Sequence, residues 1–207
     1  MTTMFHSLLR LIASSLEVPV VILLILFANV ALFSIGWLIV EYFTERRTMT
    51  VYVPQMLEAL RSGEDVGACI RRSPLLIRQK RLLAELTHHP DFSPGLRRSL
   101  ADNLLEAEQA RYDRVLKFTD LLAKISPMLG LLGTLIPLGP GIIALGQGDV
   151  TLLSASLLTA FDTTIAGLVV AAVCLAISAV RRRWYAGYMS DLETLAYCVL
   201  ELQEKTP

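Results

Sequence analysis

Three long apolar runs organise the chain. Val18 to Val40 holds 23 residues without a charge, bracketed by Glu17 and Glu41. As a helix rising about 1.5 Å per residue it reaches ~34 Å, enough to cross a hydrocarbon core of about 30 Å. Ile125 to Leu145 is the second run, 21 residues without a charge. Val150 to Val180 is the third, 31 residues in which Asp162 is the only charge. At ~46 Å the third helix must tilt or protrude beyond the lipid. Only Gly146-Gln147-Gly148-Asp149 separates the second run from the third, so these two form an antiparallel hairpin.

The segments between the runs are helical too. In the head, Met1–Glu17, Phe5, Leu8, Leu9 and Ile12 fall on one face. That pattern fits either a short interfacial turn or the start of the next helix. The first run is too long for the core of a cleaved leader, is preceded by one Arg, and meets no A-x-A site, so it reads as a retained span with Pro19 in its first turn. Trp37 and Tyr42 mark its far interface. From Glu41 to Lys124 the pattern predicts short helices over Pro54–Arg61, Asp65–Arg71 and Leu75–Leu86, broken at His88-His89-Pro90 and Ser93-Pro94-Gly95. From about Leu96 the periodicity does not stop. Val115, Phe118, Leu122, Ile125, Leu129 and Leu132 alternate at three and four residues and lead straight into the second span. Tyr188, Leu192, Leu195, Val199 and Leu202 carry the third helix onward in the same way.

The expected fold is an all-α membrane protein with three transmembrane helices, two of them long and extending into a cytoplasmic helical domain. The divisions are a head 1–17, spans 18–40, 125–145 and 150–180, a cytoplasmic domain 41–124, a turn 146–149 and a cytoplasmic tail 181–207.

Composition sharpens this picture. Hydrophobic residues make up 54% of the 207, which excludes an ordinary soluble domain. The net charge of zero hides an asymmetry: 14 of the 19 Lys and Arg lie between Arg46 and Lys124, and Arg181, Arg182 and Arg183 follow the last run. The positive-inside rule puts both basic segments in the cytoplasm and the N-terminus outside. Cys69, Cys174 and Cys198 are scattered and suggest neither a disulfide framework nor zinc. No phosphate loop, zinc motif or nucleophile elbow is present, so no catalytic residue, cofactor or metal is expected and the chain is not read as an enzyme. The arginines of Arg71–Arg81 fit a cytoplasmic membrane face, and no nucleic acid is expected.

The candidate chemistry lies inside the spans. A charged residue at mid-bilayer costs roughly 2.5–3.5 kcal/mol on insertion scales. An acid there is expected to face protein, water or an ion. Asp162 can shed its charge by taking a proton, and the hydroxyls of Thr134, Thr159, Thr163 and Thr164 can donate and accept. Thr159, Asp162, Thr163 and Ala166 share a face by helical spacing. A lone Thr in a span commonly packs and bonds its own backbone, whereas Asp162 has no cheap structural use unless its helix slides it to an interface. Gly130, Gly133 and Gly141 in the second span, with Gly167 in the third, are candidate close-packing positions, since small residues let two backbones approach.

Ser126-Pro127-Met128-Leu129-Gly130-Leu131-Leu132-Gly133-Thr134 resembles the A-P-x-L-G-L-x-G-T signature of the MotA/TolQ/ExbB proton channel family, and Thr164-Ile165-Ala166-Gly167-Leu168 resembles its T-x-x-G-L. The resemblance covers roughly Lys124 to Arg183. It implies a multi-pass protein of the cell (inner) membrane. It also implies a homo-oligomer, a pentamer, around a dimer of a single-span partner of the ExbD/TolR/MotB type, with protons driving mechanical work across the bilayer. It also implies that Thr134 and Thr164 are pore-lining. Where the family's pattern has a glutamate five residues before the third-span threonine, this chain has Thr159, with Asp162 one turn nearer Thr164. After Thr134, Leu135-Ile136-Pro137-Leu138-Gly139-Pro140 replaces the usual run. A non-conducting scaffold that recruits partners through its cytoplasmic helices is the alternative; it accounts for the basic segment but gives Asp162 no task.

Overall fold

The computed structural model describes residues 2–46, 54, 56–59, 66–73, 75–88 and 92–205. Helix α1 is Thr2–Glu41 and passes into a π-helical turn, Tyr42–Arg46. Then come α2 (Val66–Arg72), α3 (Ile77–Thr87), α4 (Pro94–Gly146) and α5 (Val150–Lys205). The protein is all-α, and α1, α4 and α5 are each long and apolar enough to cross a membrane. Of the helix expected over Pro54–Arg61, residues 54 and 56–59 are described and helical. Asp65 and the His89-Pro90 break lie outside the described residues.

The head and the first span form one rod. Nothing between Ile12 and Glu17 breaks a helix, so Pro19 sits inside α1 rather than in its first turn. Helix α4 likewise continues through Pro127, Pro137 and Pro140. In a membrane helix, neighbouring helices and side chains can satisfy the backbone groups that proline frees.

Two compact units can be distinguished: Met1–Gly36 with Lys117–Ala179, and Trp37–Leu116 with Val180–Pro207. In the first, α4 and α5 form an antiparallel hairpin whose turn is set by backbone bonds. Gly148 adopts φ 80°. Its N–H donates to the Leu145 carbonyl at 3.0 Å, and the Asp149 N–H reaches back to Ala144 at 2.9 Å. This is the bonding of a Schellman stop, with glycine in the left-handed position. Asp149 then starts the next helix: its Oδ1 accepts the Leu152 N–H at 3.0 Å. One residue thus ends α4 and caps α5, which is why so short a turn suffices. Helix α1 lies along one side of the hairpin. Val20 and Leu24 pack with Leu129, and Ala31 packs with Leu122, Ala123, Val170 and Cys174. A hydroxyl pair, Thr119 Oγ1 to Ser178 Oγ at 2.6 Å, is buried between α4 and α5.

The second unit has a conventional apolar core. Leu82, Leu83 and Leu86 of α3 meet Ala101, Leu105 and Tyr112 of α4 and Leu192, Leu195 and Val199 of α5. Tyr112 stacks against Tyr185 with ring centroids 4.4 Å apart. Glu41 and Arg181, which bracket spans in the sequence, form a buried ion pair, Arg181 Nε to Glu41 Oε2 at 3.0 Å.

Candidate functional site

The seam between α4 and α5 is built on glycine. A Cβ placed at Gly167 would lie 2.6 Å from the Ser126 carbonyl oxygen and 3.0 Å from Gly130 Cα. A Cβ at Gly133 would lie 2.6 Å from Thr163 Cβ, and one at Gly141 would lie 3.0 Å from Ser156 Cβ. At Gly130 the nearest atom is the Thr163 carbonyl oxygen, at 3.2 Å. All four glycines therefore stand where a side chain would push the helices apart.

This close approach fixes where the polar residues point. Thr163 is turned into the seam, 8% exposed, filling the space opposite Gly133. Its hydroxyl is already engaged, donating to carbonyls of its own helix at Thr159 and Ala160, each 3.0 Å away. Thr134 and Thr164 are half-buried and flank the seam. They share one edge. A Cβ at Gly130 would lie 3.4 Å from Thr164 Cα, and one at Gly141 would lie 3.5 Å from Leu153 Cδ1. Gly130, Thr134 and Gly141 follow one another at four and seven residues on α4, while Leu153 and Thr164 are eleven apart on α5. Those are the spacings of a common helical face.

Thr159 and Asp162 lie on the opposite edge. Asp162 precedes Thr164 by two residues, about 200° around a helix that turns ~100° per residue. Eleven residues after Asp162, on the same face, Val173 packs in the cluster that holds Ala31 of α1. Asp162 and Thr159 are both exposed, and among the described residues the Asp162 carboxylate has no hydrogen-bond or ion-pair partner. The five polar residues thus divide three ways: Thr163 in the seam, Thr134 and Thr164 on the edge away from α1, Thr159 and Asp162 on the α1 edge. Helical spacing alone grouped Thr163 with Asp162. It could not show that packing tips Thr163 inward.

The hydroxyls on both edges also bond their own helices: Thr134 to Leu131 O at 2.7 Å, Thr164 to Ala160 O at 3.2 Å, and Thr159 to Ala155 O at 3.1 Å. Each donor is occupied by a carbonyl of its own helix, which leaves the hydroxyl oxygens with capacity to accept a further hydrogen bond. Among the described residues no cluster of His, Cys, Asp and Glu could hold a metal ion.

A multi-pass helical membrane protein with a glycine-packed hairpin and hydroxyls along its two edges is the class these features define. The model of the MotA/TolQ/ExbB proton channel family matches residues 77–194, which is α3, α4 and most of α5. The chain belongs to that family. It is also 35% identical over 141 residues to the biopolymer transport protein exbB1 of Vibrio cholerae serotype O1 (strain ATCC 39315 / El Tor Inaba N16961). The alignment covers 65% of this chain and 60% of that protein, so the chain spans less than two thirds of its relative's length.

Proposed function

We propose that this chain is the proton-channel subunit of an ion-driven motor in the inner membrane. Copies of it form a ring, a pentamer by the family resemblance, around the spans of a single-span partner dimer of the ExbD/TolR/MotB type. The proton gradient is converted there into mechanical work, with no enzymatic step in this chain. The N-terminus and the Gln147–Asp149 turn lie outside, and the basic segments lie in the cytoplasm.

The observation that carries the reading is the edge shared by Thr134 and Thr164, on the side of the hairpin away from α1. Helix α1 packs along the other side, beside which Thr159 and Asp162 stay exposed, and itself exposes Ile22, Ile25, Leu26, Leu32 and Phe33, a surface suited to lipid. A ring that puts α1 outermost turns the threonine edge toward its axis. Thr134 and Thr164 then offer acceptor oxygens to water in the lumen, and the partner supplies the titrating carboxylate. Thr163 and the four glycines hold the hairpin closed. Thr159 and Asp162, on the α1 edge, stand outside this path.

Reconstitution of the whole complex in vesicles with an internal pH dye tests this. Thr134→Val and Thr164→Val are expected to lower proton flux roughly tenfold, a barrier increase of about 1.4 kcal/mol. Asp162→Asn is expected to leave flux within about twofold, well under 1 kcal/mol. Unchanged flux in both threonine variants would refute the assignment, and a wild-type complex that passes no protons would return the chain to the scaffold reading.

A further inference from the structure

The second unit carries a feature the channel reading does not use. Between α3 and α4 lies a trough of about 860 Å³, floored by Leu82, Leu100 and Leu104 and walled by Arg78, Arg81, Glu85, Glu108, Arg111 and Arg114. Two of the charges cancel, because Arg78 Nε holds Glu108 Oε1 at 2.8 Å. Arg81, Arg111 and Arg114 are exposed, and among the described residues they form no ion pair. Glu85 alone opposes them, so the trough is an apolar floor under a net positive wall.

Its complement is on the same chain. From Tyr185 to Glu204, α5 contains Asp191, Glu193, Glu201 and Glu204 and no Lys or Arg. Ala186, Gly187, Ser190, Glu193 and Thr194 form an exposed face of this stretch, and a Cβ at Gly187 would meet nothing within 4 Å. A small-residue face with one acid near its C-terminal end can enter a narrow trough, and Glu193 has no ion-pair partner among the described residues.

We infer that the trough receives the Glu193 face of α5 from a second copy of this chain, Arg81 pairing with that Glu193. Height decides the pairing. Copies in a membrane ring are related by an axis along the membrane normal, so equivalent residues lie at equal height and the contact is heterologous, head to tail. Within the unit, Tyr112 meets Tyr185, and Tyr197 Oη donates to Asp102 Oδ1 at 2.7 Å. This antiparallel register puts Glu193 opposite about residue 106 of α4. The Arg78–Glu108 pair puts Arg78 beside residue 108, and Arg81 is one turn further along α3, about 4.5 Å. Donor and acceptor are therefore level to within about a turn, as a ring requires. The inference rests on the ring proposed above.

The test uses the full-length protein in detergent, with Cys69, Cys174 and Cys198 replaced by Ser. Native mass spectrometry first establishes its oligomeric state. Arg81→Cys with Glu193→Cys, treated with a short bis-maleimide, is expected to give covalent dimers and a ladder up to the full ring. Arg81→Cys with Asp162→Cys is expected to stay monomeric on denaturing gels. Arg81→Glu is expected to shift the oligomer at least tenfold toward monomer, and Glu193→Arg in the same chain to restore it. An intact ring without the 81–193 link overturns this inference and leaves the ring standing. A protein that is monomeric from the start overturns both. In the complex, a link from position 81 to the single-span partner, or a bound phospholipid lost on Arg81→Glu, assigns the trough to that occupant and overturns self-docking.

Discussion

Replacing Gly167 with Ala tests the hairpin seam at its tightest point. The added methyl would sit 2.6 Å from the Ser126 carbonyl oxygen and 3.0 Å from Gly130 Cα. Both are backbone atoms of α4, so no rotamer change can make room. Restoring an ordinary contact of 3.4 Å from 2.6 Å means moving the helices apart locally by about 0.8 Å. A gap of ~0.5–1 Å forfeits a quarter to a half of each dispersion contact along the seam. Overpacking of this kind costs about 1–3 kcal/mol, against which the better helix propensity of Ala returns ~1 kcal/mol. The net expectation is a loss of up to about 2 kcal/mol, or a rise of up to roughly 30-fold in the opened population. Gly36, where a Cβ would meet nothing within 4 Å, supplies the control, and Gly36→Ala is expected to be neutral or slightly stabilising. Cys174, fully buried in the same unit, supplies the readout, since a thiol-reactive dye reaches it only when the helices part. In lipid nanodiscs Gly167→Ala should speed Cys174 labelling several-fold or more over wild type. Labelling indistinguishable from that of Gly36→Ala would refute the seam as described.

Other expectations follow from the same contacts. Glu41→Gln strands Arg181 as an uncompensated buried charge and should cost about 3–5 kcal/mol in a denaturant titration. Glu41→Leu with Arg181→Met should cost far less. Thr119→Val leaves the Ser178 hydroxyl unpaired and should cost ~1–3 kcal/mol, while a cycle with Ser178→Ala should show the double variant losing less than the sum. The Tyr197 phenol is held above its ordinary range first by its hydrogen bond to Asp102, then by burial and neighbouring acids. Because the folded value is raised, the bond's contribution is complete below the unfolded tyrosine range and disappears as pH rises through the folded value. Ultraviolet titration should find Tyr197 among the late-ionising tyrosines, and Asp102→Asn should bring it down.

The architecture was legible because its causes are local. Uncharged length marked the spans, the three-four periodicity across Val115 to Leu132 carried α4 through the membrane boundary, and the Gly-Asp turn forced the hairpin. The sidedness of the polar residues was not legible. Asp162, Thr163 and Thr164 are consecutive, and only the closeness of Gly133 to Thr163 shows that the middle one is consumed by packing while its neighbours diverge by about 200°. The position of α1 decides which edge faces away from it, and that depends on contacts such as Ala31 with Val170, more than a hundred residues apart. Glu41 and Arg181 each carried a sequence signal as span ends, but their pairing across 140 residues did not.

The most direct test of the proposed ion path is solvent access at its residues in the assembled complex. Thr134→Cys, Thr164→Cys and Asp162→Cys, each in a cysteine-free chain with its partner present, can be exposed to a charged methanethiosulfonate reagent while proton flux is recorded. Modification that stops flux at positions 134 and 164 and leaves it intact at 162 is the predicted result. Block at 162, with 134 and 164 silent, would place the path along the α1 edge and contradict the account.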